Sequence, residues 1–309
     1  MNFYKPKFWD KKEFTIWSYL LFPFSIAVNF TNFIKFKYLK REEFTIPVIL
    51  VGNIYLGGTG KTPLCIEIFQ ILKSLKANPA FVQKYHKKFF DERKLLENIG
   101  KVFISKRRSQ AVKLLMDSEA TIAILDDGFQ DSSIKSNISI ICFNEKQWIG
   151  NGFVIPSGPL REKLTALQRC DYVFINGNQN FEVEKTINKF NSKIKIFYTR
   201  YKLINLDNIK NKKILAFSGI ANPKNFFDLL KNNNVEIIKT ISFPDHYNFT
   251  KKDILNLNNK AKELNACLVT TEKDYMRLNK DDKKNINCLK IQLLIDNKDD
   301  FINELKKII

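Results

Sequence analysis

From residue 46 onward, short apolar runs alternate with segments whose apolar positions recur every three or four residues. The first signal predicts strands near 46–51, 79–84, 101–104, 121–125, 138–143, 171–175, 213–217, 235–241, 266–270 and 288–294. The second predicts helices near 62–76, 91–99, 108–117, 223–231, 250–264 and 298–308. Alternation of this kind implies an α/β fold on largely parallel sheets, because a parallel pair needs a crossover and a helix supplies it. The polar, Asn- and Lys-rich stretch at 201–213 is the expected boundary between two lobes. No internal repeat is visible.

The pattern before residue 43 is different. Residues 14–34, FTIWSYLLFPFSIAVNFTNFI, carry no charged side chain over about the 20 residues that a helix needs to cross a bilayer core. Pro23 interrupts the run, and both flanks are basic: Lys5, Lys7, Lys11 and Lys12 before it, Lys35, Lys37, Lys40 and Arg41 after it. A bilayer span and a bent helix lying in one leaflet, its lysines reaching lipid phosphates, are both open readings. A buried amphipathic hairpin is the third. No small-x-small site follows the run, which argues against a cleaved signal peptide.

Composition narrows the classes. In 309 residues, 51 Lys+Arg against 32 Asp+Glu give a net charge of +19, so anionic partners are favoured: phosphorylated substrates, acidic headgroups or nucleic acid. The lysines are spread along the chain, however, and no groove-reading motif or aromatic-interleaved basic stripe supports nucleic acid. Five cysteines without a CxxC pair argue against a disulfide framework or structural zinc and fit a reducing setting. Two histidines argue against a multi-histidine metal site.

The candidate chemistry begins at residues 51–63, VGNIYLGGTGKTP, set between a predicted strand and a predicted helix. The ending GKT is that of a P-loop, although Tyr55 stands where the general pattern has its first glycine. Gly57, Gly58 and Gly60 free the backbone to turn, Thr59 lies among them, and Pro63 suits a first helical turn. The loop then presents a helix N-terminus to phosphates, with Lys61 for the β- and γ-phosphates of ATP and Thr62 for Mg²⁺. Residues 121–131, TIAILDDGFQD, form an apolar strand tipped by Asp126 and Asp127, the place where a P-loop enzyme holds Mg²⁺ with one or two carboxylates. In residues 156–171, PSGPLREKLTALQRCD, Arg161 opens a predicted amphipathic helix; it is either a phosphate clamp or half of a surface ion pair. His246 falls in a loop before a helix that Thr250 and Asp253 are placed to cap, and Asp91 is placed as a helix N-cap.

Together these stretches, with FSGIANPKNFF, FPDHYNF and TTEKDYMRL, resemble the tetraacyldisaccharide 4'-kinase family, in the family's order over essentially the whole chain after Ile46. Tyr55 in place of glycine is a feature of that family's own loop. The resemblance implies a membrane-associated segment over 1–40, a P-loop kinase lobe over 41–205 and a smaller α/β lobe over 206–309 that closes over the active site. It implies ATP and Mg²⁺, with Gly57, Gly58, Thr59, Gly60, Lys61, Thr62 and Arg161 on the nucleotide and Thr62, Asp126 and Asp127 on the metal. Asp91 and His246, one on each lobe, are implied as the pair that draws the proton from the attacking sugar hydroxyl, with Lys61 catalytic beside them. The implied partners are an acylated disaccharide 1-phosphate and the bacterial inner-membrane surface, with the lobes on the cytoplasmic face and no nucleic acid.

Two departures stand out. The family's Ser-Arg-Gly-Tyr-Gly-Arg run is replaced by the shorter QKYHKKFF of residues 83–90, and Asp131 stands where the family has His after DDGFQ. The alternative class is a nucleotide-driven switch or metallochaperone. Such GTPases read guanine with Asn/Thr-Lys-x-Asp, and residues 271–274, TEKD, have the lysine displaced by one.

Overall fold

The computed structural model describes residues 5–11, 13, 15–86 and 89–309; Phe14 of the apolar segment, its flanking Lys12, and two lysines of the short loop, Lys87 and Lys88, lie outside the described residues. The described chain divides into two units, a larger one of Lys5–Tyr85, Ile99–Arg200 and Leu293–Ile309, and a smaller one containing His86–Asn98 and Tyr201–Gln292. The sequence expectation had kept residues 41–205 together. The structure instead assigns residues 86–98 to the smaller unit.

The larger unit opens with helix α1 (Ile16–Tyr38) and is built on an eight-stranded sheet. Its strands are β1 (Val48–Gly52), β2 (Pro79–Lys84), β3 (Val102–Ser105), β4 (Ile122–Asp126), β5 (Ile138–Asn144), β6 (Tyr172–Asn176), β7 (Lys195–Leu203) and the last strand of the chain, β12 (Ile291–Ile295). They lie in the order β12-β7-β6-β5-β1-β4-β2-β3, with the pairs from β7 through β3 parallel. Helices α2 (Lys61–Ser74), α4 (Arg108–Met116), α5 (Phe181–Phe190) and α9 (Lys298–Lys306) belong to this unit. The strands β1, β4 and β5 are buried at every position, which is why they read as continuous apolar runs rather than alternations.

The smaller unit carries a parallel sheet in the order β11-β10-β8-β9, formed by β8 (Ile214–Ser218), β9 (Ile237–Ser242), β10 (Cys267–Thr271) and β11 (Ile286–Leu289). Its helices are α3 (Phe90–Glu97), α6 (Pro223–Asn232), α7 (Lys251–Glu263) and α8 (Glu272–Arg277). Although α3 comes between β2 and β3 in the chain, ion pairs from Arg277 to Asp91 and from Lys273 to Glu92 tie it to α8. The capping box expected at Thr250 and Asp253 is present at the start of α7.

Several expectations change. The single strand expected at 288–294 is two strands, β11 and β12, one in each sheet. No amphipathic helix follows Arg161: Leu160 bridges Tyr55 and the Arg161 N–H donates to the Ile54 carbonyl at 2.7 Å, so the backbone stays extended there and forms only a 3-10 turn at Leu164–Arg169. Asp91 is not an N-cap. Phe89 holds that position, and Asp91 sits inside α3 with its side chain buried.

The N-terminal segment is not a hairpin, since α1 runs as one helix through Pro23. No helix among the described residues is long and apolar enough to cross a membrane. Its polarity is also reversed from that of a surface helix. Ser18 and Ser25 are buried against the protein, while Ile16, Trp17, Leu20, Phe24, Phe30 and Phe33 are exposed. An ordinary helix of a globular protein would do the opposite.

One close approach positions the larger unit's chemistry. A Cβ added at Gly52, the last residue of β1, would come within 2.8 Å of the Phe129 amide nitrogen and closer still to its Cβ. Gly52→Ala is therefore expected to cost about 1–3 kcal/mol through overpacking, read as a lower denaturation midpoint at unchanged slope.

Candidate active site

In the larger unit β1 lies between β4 and β5, so the connections leave its neighbourhood in opposite directions, the topology in which open α/β sheets bind ligands at their C-terminal strand tips. Residues 53–60 occupy that place. Gly57 and Gly60 adopt φ of 152° and 95°, a region that side chains resist, and Gly60 is the N-cap of α2. The fully buried Asn53 braces the loop from within, donating from Nδ2 to the Gly57 carbonyl at 3.1 Å and to Thr59 Oγ1 at 3.0 Å. Tyr55 explains the missing glycine. It is a buried anchor rather than a turn residue, packed with Val154 and Leu160 and donating its hydroxyl to Asp10 at 3.1 Å. Burial and Asp10 raise its phenol well above the usual value.

Lys61 and Thr62 begin α2, whose first N–H groups lack helical acceptors and so favour an anion. The buried Thr62 donates its hydroxyl to Asp126 Oδ2 at 3.0 Å, and Gln83 Nε2 reaches the same oxygen at 3.3 Å. Asp127, turned by a φ of 55°, meets Lys61 Nζ at 3.5 Å and Arg161 Nη1 at 2.8 and 3.1 Å. Arg108 donates from Nη2 to the Asp127 carbonyl at 2.7 Å. Burial works against ionisation of Asp127, but Lys61, Arg161 and Arg108 together outweigh it and hold its carboxyl below the usual range. Gln130 joins the group: its Oε1 accepts from Arg161 at 3.2 Å, and its Nε2 donates to the Asn53 carbonyl at 2.7 Å.

The fit to a nucleotide and metal follows from this donor set. Lys61, Arg108 and Arg161 converge on a strand tip, Arg108 also pairing with Asp131 at 3.4 Å, and such a gathering of cations suits polyphosphate. A hydroxyl beside a carboxylate suits Mg²⁺, which takes one or two carboxylates and keeps its remaining positions for water and phosphate. No cluster of three or more His, Cys, Asp or Glu side chains of the kind that cages other metals occurs among the described residues.

Asp91 and His246 lie together in the smaller unit, not one on each lobe. His246 Nδ1 stands 3.3 Å from Asp91 Oδ1, a close approach in which neither atom makes an aligned hydrogen bond. Asp91 Oδ2 accepts from Arg277 Nε at 3.0 Å and also from its Nη2. The backbone of His246 has a φ of 55° and is fixed by its N–H to the Gly219 carbonyl at 3.0 Å. The same carbonyl accepts from Arg277 Nη1 at 2.8 Å. Behind them, the buried Asp274 accepts from Ser218 Oγ, the Gly219 N–H, Thr271 Oγ1 and Arg277 Nη1 at 2.7–3.0 Å.

Burial drives the Asp91 carboxyl upward, but His246, Arg277 and Lys273 outweigh it and hold it well below the usual carboxylate range. For Asp274 burial wins and its proton affinity is raised, against the pull of Arg277 and its hydrogen-bond donors.

Comparison with known proteins settles the relationship. The family model described as tetraacyldisaccharide-1-P 4'-kinase (LpxK) matches residues 17–89 and 83–309. The chain belongs to that family. It is 42% identical over 311 residues to the tetraacyldisaccharide 4'-kinase of Pelagibacter ubique, covering 100% of this chain and 99% of the relative. With the enzyme of the same name from Rickettsia bellii it shares 34% identity over 94% of both chains. The crystal structure of LpxK from Aquifex aeolicus, in complex with ATP, has the same fold: the TM-score is 0.73 at 24% identity, over 95% of this chain and 99% of that one.

Sequence reasoning had missed Asn53, Gln83, Arg108 and Gln130 in the larger unit, and Asp274 and Arg277 in the smaller one. Asp274 and Arg277 fall in TTEKDYMRL, which carried the resemblance without an assigned chemistry. The others are single polar residues whose role exists only once strands from distant parts of the chain are adjacent.

The Asp91 cluster has a pH signature. Its carboxyl binds a proton less readily when folded than when unfolded, so its stabilisation is complete above the ordinary Asp value near 3.9 and falls as pH drops below it. Asp91→Asn is expected to lower stability by about 3 kcal/mol at pH 7, and the gap from the parent should narrow as unfolding is followed into acid.

Proposed function

We propose that this chain transfers the γ-phosphoryl group of ATP to the 4'-hydroxyl of a tetraacylated glucosamine disaccharide 1-phosphate. Family membership over the whole length supports the reaction. The observation that carries the assignment of residues is the convergence of Lys61, Arg161 and Arg108 on the strand tip that also holds Thr62 and Asp126. The switch or metallochaperone alternative is not favoured by that membership.

In this reading Gly57, Gly58, Thr59 and Gly60 present backbone amides to the phosphates. Lys61 and Arg161 exchange part of their contact with Asp127 for phosphate oxygens as nucleotide binds. Thr62, Asp126 and Asp127 would hold Mg²⁺, which when bound neutralises phosphate charge. The sugar oxygen bonds to the γ-phosphorus, the bond to the β,γ-bridging oxygen breaks, ADP leaves, and the hydroxyl proton passes to the Asp91–His246 pair. Arg277 keeps Asp91 ionised and makes it a weak base alone, and the His246 imidazole, 3.3 Å away, is the second acceptor of the pair. The loose transition state of phosphoryl transfer asks more for positioning than for a strong base.

The exposed aromatic face of α1 would lie in the cytoplasmic leaflet of the inner membrane, with Lys35, Lys37, Lys40 and Arg41 at its end near lipid phosphates. The acylated acceptor is reached there, and nucleic acid has no part in the reaction.

Incubating purified protein with γ-labelled Mg-ATP and the acylated disaccharide 1-phosphate should place label in the lipid; label found only as free phosphate would overturn the assignment. Lys61→Ala and Asp126→Ala should abolish transfer. Asp91→Ala and His246→Ala should lower kcat by about 10²–10⁴-fold with little change in KM for ATP. Replacing Trp17, Leu20 and Phe24 by serine should release the protein from anionic vesicles in a flotation assay; full retention would refute the anchor.

A further inference from the structure

The face of α1 turned toward the protein is a polar seam at seven-residue spacing, Ser18, Ser25 and Asn32. Each side chain is bonded to the segment 151–161. Ser18 Oγ accepts from Asn151 Nδ2 at 3.3 Å. Ser25 Oγ donates to the Val154 carbonyl at 2.7 Å and accepts from the Ser157 N–H at 3.1 Å. Asn32 Nδ2 donates to the carbonyl of Arg161 at 3.0 Å.

The last of these bonds falls on a residue held from the other side by the phosphate loop. The Arg161 N–H donates to the Ile54 carbonyl at 2.7 Å, and the Leu56 N–H donates to the Pro159 carbonyl at 2.8 Å. The backbone of Arg161 is thus gripped between the loop and α1, while its guanidinium reaches Asp127 and Gln130. One turn further along α1, Phe36 covers the guanidinium of Arg169 at 3.8 Å, and Arg169 pairs with Glu162 at 2.6 Å. A helix that served only as an anchor would need none of these bonds, because apolar contact would dock it.

We propose that Asn32 is a positioning residue for Arg161: by fixing that carbonyl it sets the approach of the guanidinium to the nucleotide phosphates, so that α1 helps to build the phosphate site. The inference rests on the assignment of Arg161 to nucleotide given above. Asn32 touches no substrate. Its effect is on affinity, transmitted through one backbone unit whose two polar groups are both committed.

The test uses the full-length protein, with the dissociation constant for Mg-ATP measured by titration calorimetry in lipid-free detergent solution. Asn32→Leu keeps the branched outline of a partly exposed side chain and improves helix propensity, so the nucleotide-free protein should melt no lower than the parent. Its Kd for ATP should rise on the order of fivefold, the loss of about one hydrogen bond. Asn32→Asp, which sets a carboxylate against the carbonyl, should do at least as much harm, and Asn32→Gln, which keeps the donor, should recover part of the affinity. Flotation on vesicles of phosphatidylethanolamine and phosphatidylglycerol should match the parent for all three. If Arg161→Lys weakens ATP binding and Asn32→Leu and Asn32→Asp do not, the inference is overturned while the phosphate site stands. If Arg161→Lys leaves ATP affinity unchanged, the assignment of Arg161 itself falls, and the role of Asn32 falls with it. A lower melting temperature with unchanged Kd in Asn32→Leu would show a purely structural bond and also overturn the inference, and parental affinity in Asn32→Asp would overturn it independently.

Discussion

Because β1 sits between β4 and β5, the connections on either side of it run in opposite directions, and the charged groups of the larger unit are placed by that split. The two tips lie side by side in register, with Val51 opposite Asp126. Thr62 at the start of α2 can therefore meet Asp126, and Asp127, one residue beyond the strand, turns toward Lys61 and Arg161. Gly52 is the steric counterpart of this arrangement, since the turn after β4 can approach β1 only where no side chain intervenes.

The smaller unit solves a different problem, how to keep a carboxylate charged while burying it. Arg277 gives Asp91 two donors, and Arg277 is itself held by Asp274 and by the carbonyl of Gly219. Gly219 also fixes the backbone of His246. Three segments far apart in the chain, around residues 91, 219 and 274, so form one hydrogen-bonded assembly. Removing one member of such an assembly strands the others in a low-dielectric setting, which makes its parts interdependent.

Much of this was legible in the sequence, and for reasons that can be named. The strands buried on both faces announced themselves as apolar runs, and GGTGKT and DDGF carried their chemistry in local spacing. By contrast, β7 and α5 were missed because they keep many exposed polar residues and only part of their surface is buried. Arg161 was found as a residue but placed on a helix, because the pattern of residues 156–171 looks helical while strand-like pairing with residues 54–56 overrides it. The placement of α3 with the smaller unit could not be read locally, since it depends on two ion pairs that span about 180 positions of sequence. That no helix among the described residues is long and apolar enough to cross a bilayer likewise needed the structure, which showed serines facing protein and aromatic rings facing out.

That inverted helix has a consequence for the forces that retain it. In water, the hydrogen bonds of Ser18, Ser25 and Asn32 compete with solvent, and the exposed rings favour escape or self-association. Were hydrocarbon to cover the outer face, as proposed above, a serine or asparagine that left its partner would find no water to replace it. The same few bonds would then hold harder, and lipid would act on α1 as an adhesive applied from outside, tightening its grip on the protein without touching the seam.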